Sequence, residues 1–115
     1  MIIKRGGIYL AALDPTLGDE IAKTRPVLVI SNDKNNQFSG TVTVLPVTSR
    51  SLNKIYPFEV RVAKGSGGLP KISKIKADQI RTLDQRRLVK AIGSLSEEIM
   101  TAVGGAVKIH LGLAD

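Results

Sequence analysis

A chain of 115 residues suits one domain with one hydrophobic core, and its lack of cysteine excludes a disulfide framework, a thiolate metal site and a cysteine nucleophile. Seventeen Lys and Arg against ten Asp and Glu leave a formal charge of +7, which favours a polyanionic partner, nucleic acid before others. No apolar run approaches the length of a membrane span, and Met1-Ile2-Ile3-Lys4-Arg5 lacks the order of a signal peptide, so the expected location is the cytoplasm.

In chain order, most of the sequence reads as strands. Gly7 to Ala11 is the first. Asp14 to Glu20, with proline, glycine and acidic residues, is a loop. Arg25-Pro26-Val27-Leu28-Val29-Ile30-Ser31 has the uninterrupted apolar run of a strand buried on both faces. Asn32 to Gly40 is a polar connection. Thr41 to Thr48 follows as a strand, with Val42, Val44 and Pro46 on one face and Thr43, Leu45 and Val47 on the other. Pro46 cannot donate to a ladder, which predicts an edge or a bulge there.

Ser49 to Ile55 is a polar loop. Tyr56 to Val62 alternates, which predicts Tyr56, Phe58, Val60 and Val62 inward and Glu59 and Arg61 outward. Lys64 to Pro70 is a loop, Lys71 to Ala77 and Gln79 to Leu83 are short strands, and Leu88 to Leu95 is another. The period then changes. Ile99, Val103, Val107 and Leu111 recur every four residues, the mark of an amphipathic helix. Ser96 is one N-cap candidate; Ser94 with Glu97 would form a capping box instead. Gly104 and Gly105 within that helix predict close approach of another backbone. The sum is a mainly β chain with a terminal α-helix, a small barrel of about six to seven short strands spanning residues 1–115.

The chemistry narrows by elimination. His110 stands alone, so two histidines cannot share acid–base work within one chain, and it reads best as a helix-terminal cation. Gly65-Ser66-Gly67-Gly68 has no helix start behind it and reads as a turn. The carboxylates are scattered, and neither a metal nor another cofactor is expected. What remains is Glu20, Arg25 and Thr48 among many basic residues. Pro26 holds Arg25 extended, and its guanidinium forks naturally onto phosphate oxygens. Thr48 offers one hydroxyl at a strand end. On residue type alone, an ordinary strand-end arginine and threonine fit equally well.

Four blocks in order carry a resemblance that covers nearly the whole chain. Arg5-Gly6-Gly7-Ile8-Tyr9-Leu10 through Lys23-Thr24-Arg25-Pro26-Val27-Leu28-Val29-Ile30-Ser31-Asn32 resembles the opening of MazF/PemK toxins. Pro46-Val47-Thr48-Ser49, then Asp78-Gln79-Ile80-Arg81-Thr82-Leu83-Asp84, then Ile92-Gly93-Ser94-Leu95 with the helix ending Leu111-Gly112-Leu113, are similar to the later family signatures.

The resemblance implies an SH3-like barrel of the PemK/CcdB type, a symmetric homodimer, and metal-independent, sequence-specific cleavage of single-stranded mRNA. It also implies a cognate, MazE-like antitoxin with an acidic C-terminal segment. The family's catalytic positions fall on Arg25 and Thr48, with Glu20 auxiliary. Lys23, Thr24, Ser49, Arg50, Lys54, Gln79 and Arg81 are the expected substrate-binding residues; Lys74, Lys76, Arg86 and Arg87 are further candidates for phosphate contact. Two alternatives stay open: a non-catalytic toxin of the same fold that binds a protein such as DNA gyrase, and a basic barrel that binds nucleic acid without chemistry.

Overall fold

The computed structural model describes residues 1–113; Ala114 and Asp115, the end of the expected 1–115 domain, lie outside the described residues. Seven strands form one antiparallel sheet: β1 (Gly7–Ala12), β2 (Thr24–Val29), β3 (Thr41–Thr48), β4 (Glu59–Val62), β5 (Ser73–Lys76), β6 (Arg81–Asp84) and β7 (Leu88–Ser94). Helix α1 (Asp33–Phe38) joins β2 to β3, and α2 (Glu97–Leu111) follows β7. The strand order is β4-β5-β3-β2-β1-β7, with β6 also paired to β3. The end strands β4 and β7 do not pair with each other, so the barrel is open. No helix of the described residues is long and apolar enough to cross a membrane.

Alternation in β2 and β3 generates two apolar clusters, one on each face. Val27, Val29, Val42 and Val44 pack with Tyr9, Leu13 and Leu83. Leu28, Leu45 and Val47 pack on the other side with Ile8, Ile75 and the buried residues Met100, Val103 and Ala106 of α2. Each fully buried Val or Leu contributes about 1.5–3 kcal/mol. The uninterrupted run of β2 therefore does what its composition predicts, with Val27, Leu28 and Val29 all wholly buried.

Several expectations are corrected. Asn32 to Gly40 contains α1, because the Asn32 side chain accepts from the Asn35 N–H at 2.8 Å and caps it. Pro46 lies neither on an edge strand nor at a bulge. It pairs with Val27 in the centre of the sheet. The Thr43 carbonyl accepts from Ile30 on the β2 side, so alternation points the Pro46 nitrogen the other way. There β6 stops at Val44 and β5 begins at Val47, and no donor is needed. In α2, Ser96 is the N-cap, accepting from Ile99 N–H at 3.3 Å. Leu111 is exposed, since steps of four drift off the buried stripe. A Cβ at Gly104 or Gly105 would meet nothing within 4 Å, so no backbone approaches them here.

The largest correction concerns Glu59. Tyr56 is exposed, and β4 starts only at Glu59, whose carboxylate is fully buried rather than exposed to solvent. It pairs with Lys74 at 3.1 Å and with Lys76 at 2.7 Å, both from β5. The alternation itself holds, with Phe58, Val60 and Val62 on the helix-side cluster and Arg61 exposed; Glu59 is buried on the other face because cross-strand lysines supply what a lone carboxylate lacks. Burial pushes the Glu59 pKa up, but hydrogen bonds from Lys76, the Tyr56 N–H and Lys74 outweigh it, and the net shift is downward.

The connection from β4 to β5 reaches back onto β7 through glycines. A Cβ on Gly93 would sit 2.4 Å from the Gly67 carbonyl oxygen, and one on Gly68 would sit 2.6 Å from that of Ile92. This contact fixes where Leu69, Pro70 and Lys71 stand.

Two outcomes are expected. Gly93→Ala lowers stability by about 1–3 kcal/mol in urea titration, because the obstructing atom is backbone; an unchanged midpoint would mean the glycine contact is loose. The folded-state pKa of Glu59 lies below its unfolded value, so its contribution is complete above about pH 4.3 and is lost as pH falls through the depressed value. Glu59→Ala strands Lys74 and costs about 3–5 kcal/mol near neutral pH. The deficit against the parent narrows in acid, and an equal deficit at every pH would remove the charge from the explanation.

Candidate active site

The β2–β3 ladder opens at one end for a covalent reason. Val27 pairs with Pro46, Leu28 with Leu45 and Val29 with Val44. Because Ile30 donates to Thr43 across this pair, the even-numbered residues of β2 point their nitrogens at β3. Pro26 is the next in line and has no N–H to give. The ladder therefore stops, although the register carried two residues further would set Arg25 across from Thr48. Alternation places both side chains on the face of Val27, Val29, Val42 and Val44.

Arg25 and Thr48 line one cleft of about 170 Å³ together with Ser49. Its far wall is Leu69, Pro70, Lys71 and Ser73. Arg25 is half-buried, and its Nε–H donates to the Ala22 carbonyl at 3.2 Å, which fixes the guanidinium plane. Among the described residues its two Nη groups have no hydrogen-bond partner, so they are available to an oxyanion. Thr48 Oγ1 accepts from the Arg50 N–H at 3.1 Å, a bond from residue i+2 that leaves the hydroxyl proton to donate. One fixed fork and one oriented hydroxyl thus meet in a concave site.

Two residues beside this pair have left-handed backbones, Lys23 at φ 68° and Ser51 at φ 54°. Neither is glycine, so each stores strain that the surroundings must hold. Lys23 is held by its N–H to Asp14 Oδ1 at 3.1 Å and by its carbonyl, which accepts from Leu13 at 2.9 Å. Thr24, facing Ala12 in β1, is exposed next to it.

Glu20 belongs elsewhere. It lines a separate cleft of about 450 Å³ with Leu17, Asp19, Asp78, Gln79, Ile80 and Arg81. Its Oε1 accepts from the Leu17 N–H at 3.0 Å, within its own loop. Gln79 bridges that loop to the sheet, accepting from Ile21 N–H at 3.2 Å and donating to the Asp19 carbonyl at 3.1 Å. Arg81 donates to the Leu13 carbonyl and Arg87 to those of Ala12 and Asp14. The structure therefore brings Arg25, Thr48 and Ser49 into one cleft, and Glu20, Gln79 and Arg81 into its own. A hollow of about 530 Å³ between Met1–Lys4 and α1 is larger than either, but it holds neither Arg25 nor Thr48.

Of the basic candidates, Arg50 and Lys54 are exposed on the loop after Thr48, with Lys54 Nζ 4.8 Å from the Tyr56 ring centre. Lys74 and Lys76 are corrected: both are spent on Glu59, and Lys74 is buried. Arg86 is paired with Asp84, whose carboxyl it holds down to about 2. Lys71 and Ser73 went unnoticed in the sequence. They reach the cleft only because β5 pairs with the end of β3, Thr48 opposite Lys74, a relation that leaves no local signal. No group of three or more His, Asp or Glu side chains among the described residues is placed to hold a metal ion.

Comparison with known proteins places the chain in a family. Residues 4–111 match the family described as PemK-like, MazF-like toxin of type II toxin-antitoxin system. The chain is 41% identical over 115 residues to Endoribonuclease EndoA of Bacillus subtilis, covering 100% of this chain and 99% of that protein. It superposes on MazF from Deinococcus radiodurans with a TM-score of 0.84 at 30% identity, covering 97% and 98% of the two chains. One MazE–MazF structure from the same organism gives 0.78 at 29% identity, with 99% of each chain covered. With its cleft, its open sheet and a match along nearly its whole length, the chain belongs to the PemK-like, MazF-like family of type II toxins.

Proposed function

We propose that this endoribonuclease toxin, a single domain over residues 1–115, cuts single-stranded mRNA in the Arg25–Thr48 cleft, without a metal, by using the RNA's own 2′-hydroxyl. The observation that carries the reading is the pairing of an unpartnered, fixed guanidinium edge with an oriented hydroxyl in one concave site.

The 2′-oxygen attacks the neighbouring phosphorus and loses its proton. The bond from phosphorus to the 5′-oxygen breaks, and that oxygen takes up a proton. The products are a 2′,3′-cyclic phosphate and a 5′-hydroxyl. Negative charge builds on the equatorial oxygens midway. Arg25 meets that charge bidentately and Thr48 donates to one oxygen. Glu20 lies in the adjoining cleft and has an auxiliary role on its loop. Lys23, Thr24, Ser49, Arg50 and Lys54 flank the reacting diester, and Lys71 adds a cation at the far wall. Gln79 and Arg81 line the adjoining cleft, where a flanking nucleotide is held.

The net charge of +7 suits both the RNA and an acidic antitoxin segment that occupies the same surface. The Deinococcus MazE–MazF assembly supports a MazE-like partner, and family membership supports a homodimer. Messenger RNA as substrate places the action in the cytoplasm. The whole-length identity to an endoribonuclease favours this reading over a gyrase binder or a nucleic-acid barrel without chemistry.

Incubation of the purified protein with a long unstructured RNA in excess chelator yields discrete fragments with 5′-hydroxyl ends. Shifted but uncut RNA would indicate a binder, and untouched RNA a protein target. Arg25→Ala lowers the single-turnover rate about 10²–10³-fold with a much smaller loss of RNA affinity. Arg25→Lys does not restore the rate, because an ammonium cannot fork; equal losses in rate and affinity would make Arg25 an anchor. A 2′-deoxy substitution at the scissile nucleotide leaves binding intact and abolishes cleavage. Cleavage of that oligonucleotide would exclude the internal nucleophile.

A further inference from the structure

The segment between β3 and β4, residues 49–58, is exposed over most of its length, yet one buried ion pair grips it at three backbone points. Lys74 Nζ donates to the Ser51 carbonyl at 2.9 Å and to the Lys54 carbonyl at 3.2 Å. Glu59 Oε1 accepts from the Tyr56 N–H at 3.0 Å and from Lys74 at 3.1 Å. Lys76 closes the arrangement on Glu59 Oε2 at 2.7 Å. Lys74 is also the residue directly opposite Thr48 in the β3–β5 ladder. The grip therefore starts one strand away from the cleft hydroxyl and ends on the loop that follows it.

Sheet stability gives no reason for such a pair. Its desolvation largely cancels its attraction, and an apolar pair of similar volume is often as stable or more so. An apolar pair cannot hold two carbonyls and an N–H. The loop that is held carries Ser49, which lines the cleft, and the cations Arg50 and Lys54. It also contains Ser51 at φ 54°, a backbone state that needs external support.

We infer that Lys74 and Glu59 are positioning residues that preform the β3–β4 loop for the RNA strand, so that binding does not have to order it. This rests on the reading of the Arg25–Thr48 cleft as the RNA-cutting site. Without the grip, the ordering of Arg50, Lys54 and the loop backbone falls on the binding step. The chemical step, carried by Arg25 and Thr48, is left as it was.

The test is the double variant Glu59→Leu/Lys74→Met, which removes the grip while keeping the interior apolar and filled. Hydrogen exchange across residues 50–56 is followed in the free protein, and KM and kcat are followed on a defined single-stranded RNA. Faster exchange confined to this loop, KM raised about tenfold and kcat within about twofold support the inference. Glu59→Gln, a smaller perturbation, shifts both readouts in the same direction and serves if the double variant does not fold. Leu88→Ala, in the opposite apolar cluster, destabilises the fold but leaves loop exchange and KM unchanged. Unchanged loop exchange in the double variant would overturn the grip, whatever the reaction. Freed loop exchange with parental KM would overturn its role toward RNA, as would an equal KM rise in Leu88→Ala. Cleavage by Arg25→Ala at the parental rate would sink the cleft assignment instead, and the exchange result would stand apart from it.

Discussion

The β2–β3 ladder and its end at Pro26 determine the rest. Leu28 and Val29 need both faces covered, which commits β2 to the centre of the sheet beside β1 and β3. The ladder would run on to Arg25 and Thr48, but a missing N–H at Pro26 ends it two residues early. Two strands held firmly at one end and released at the other make a cleft without a cavity having to be carved in the core. Its two polar side chains sit at the release point, anchored by a rigid pair of strands.

Around that opening, irregular backbone is held by polar side chains rather than by ladders. Gln79, Arg81 and Arg87 fasten the segment from Ala12 to Ile21, each through a backbone carbonyl or N–H. Lys74 and Glu59 do the same for the segment after Thr48. The basic residues therefore divide into two groups. Some neutralise carbonyls and carboxylates inside the protein, and others, Lys23, Arg50, Lys54 and Lys71 among them, are exposed near the cleft. Net charge alone does not distinguish these groups, and Arg25 and Arg81 belong to both, each holding a backbone carbonyl while lining a cleft.

Much of this was legible in the residues. The period of two in β3 matches the observed Thr41–Thr48 strand, and both of its faces pack as alternation requires. The change to a helical period after Ser96 matches α2. The family signatures singled out Arg25 and Thr48, which the sheet does bring together. The failures share one cause, which is that partners come from distant strands. Glu59 read as outward because nothing near it in the chain announces Lys74 and Lys76. Those lysines read as phosphate contacts for the mirror-image reason. Lys71 and Ser73 were overlooked because their nearness to Thr48 is a property of β5 pairing, and Glu20 stood with Arg25 in the sequence although their side chains line different clefts.

The central claim is that Arg25 and Thr48 act as one unit on a diester that gains charge as it breaks. A double-mutant cycle on the single-turnover cleavage rate, with Arg25→Ala, Thr48→Val and the pair combined, measures this most directly in chelator. The account predicts strong coupling, the combined loss falling well short of the product of the two separate losses. Losses that multiply independently would contradict it, because the two side chains would then be serving separate events rather than one transition state.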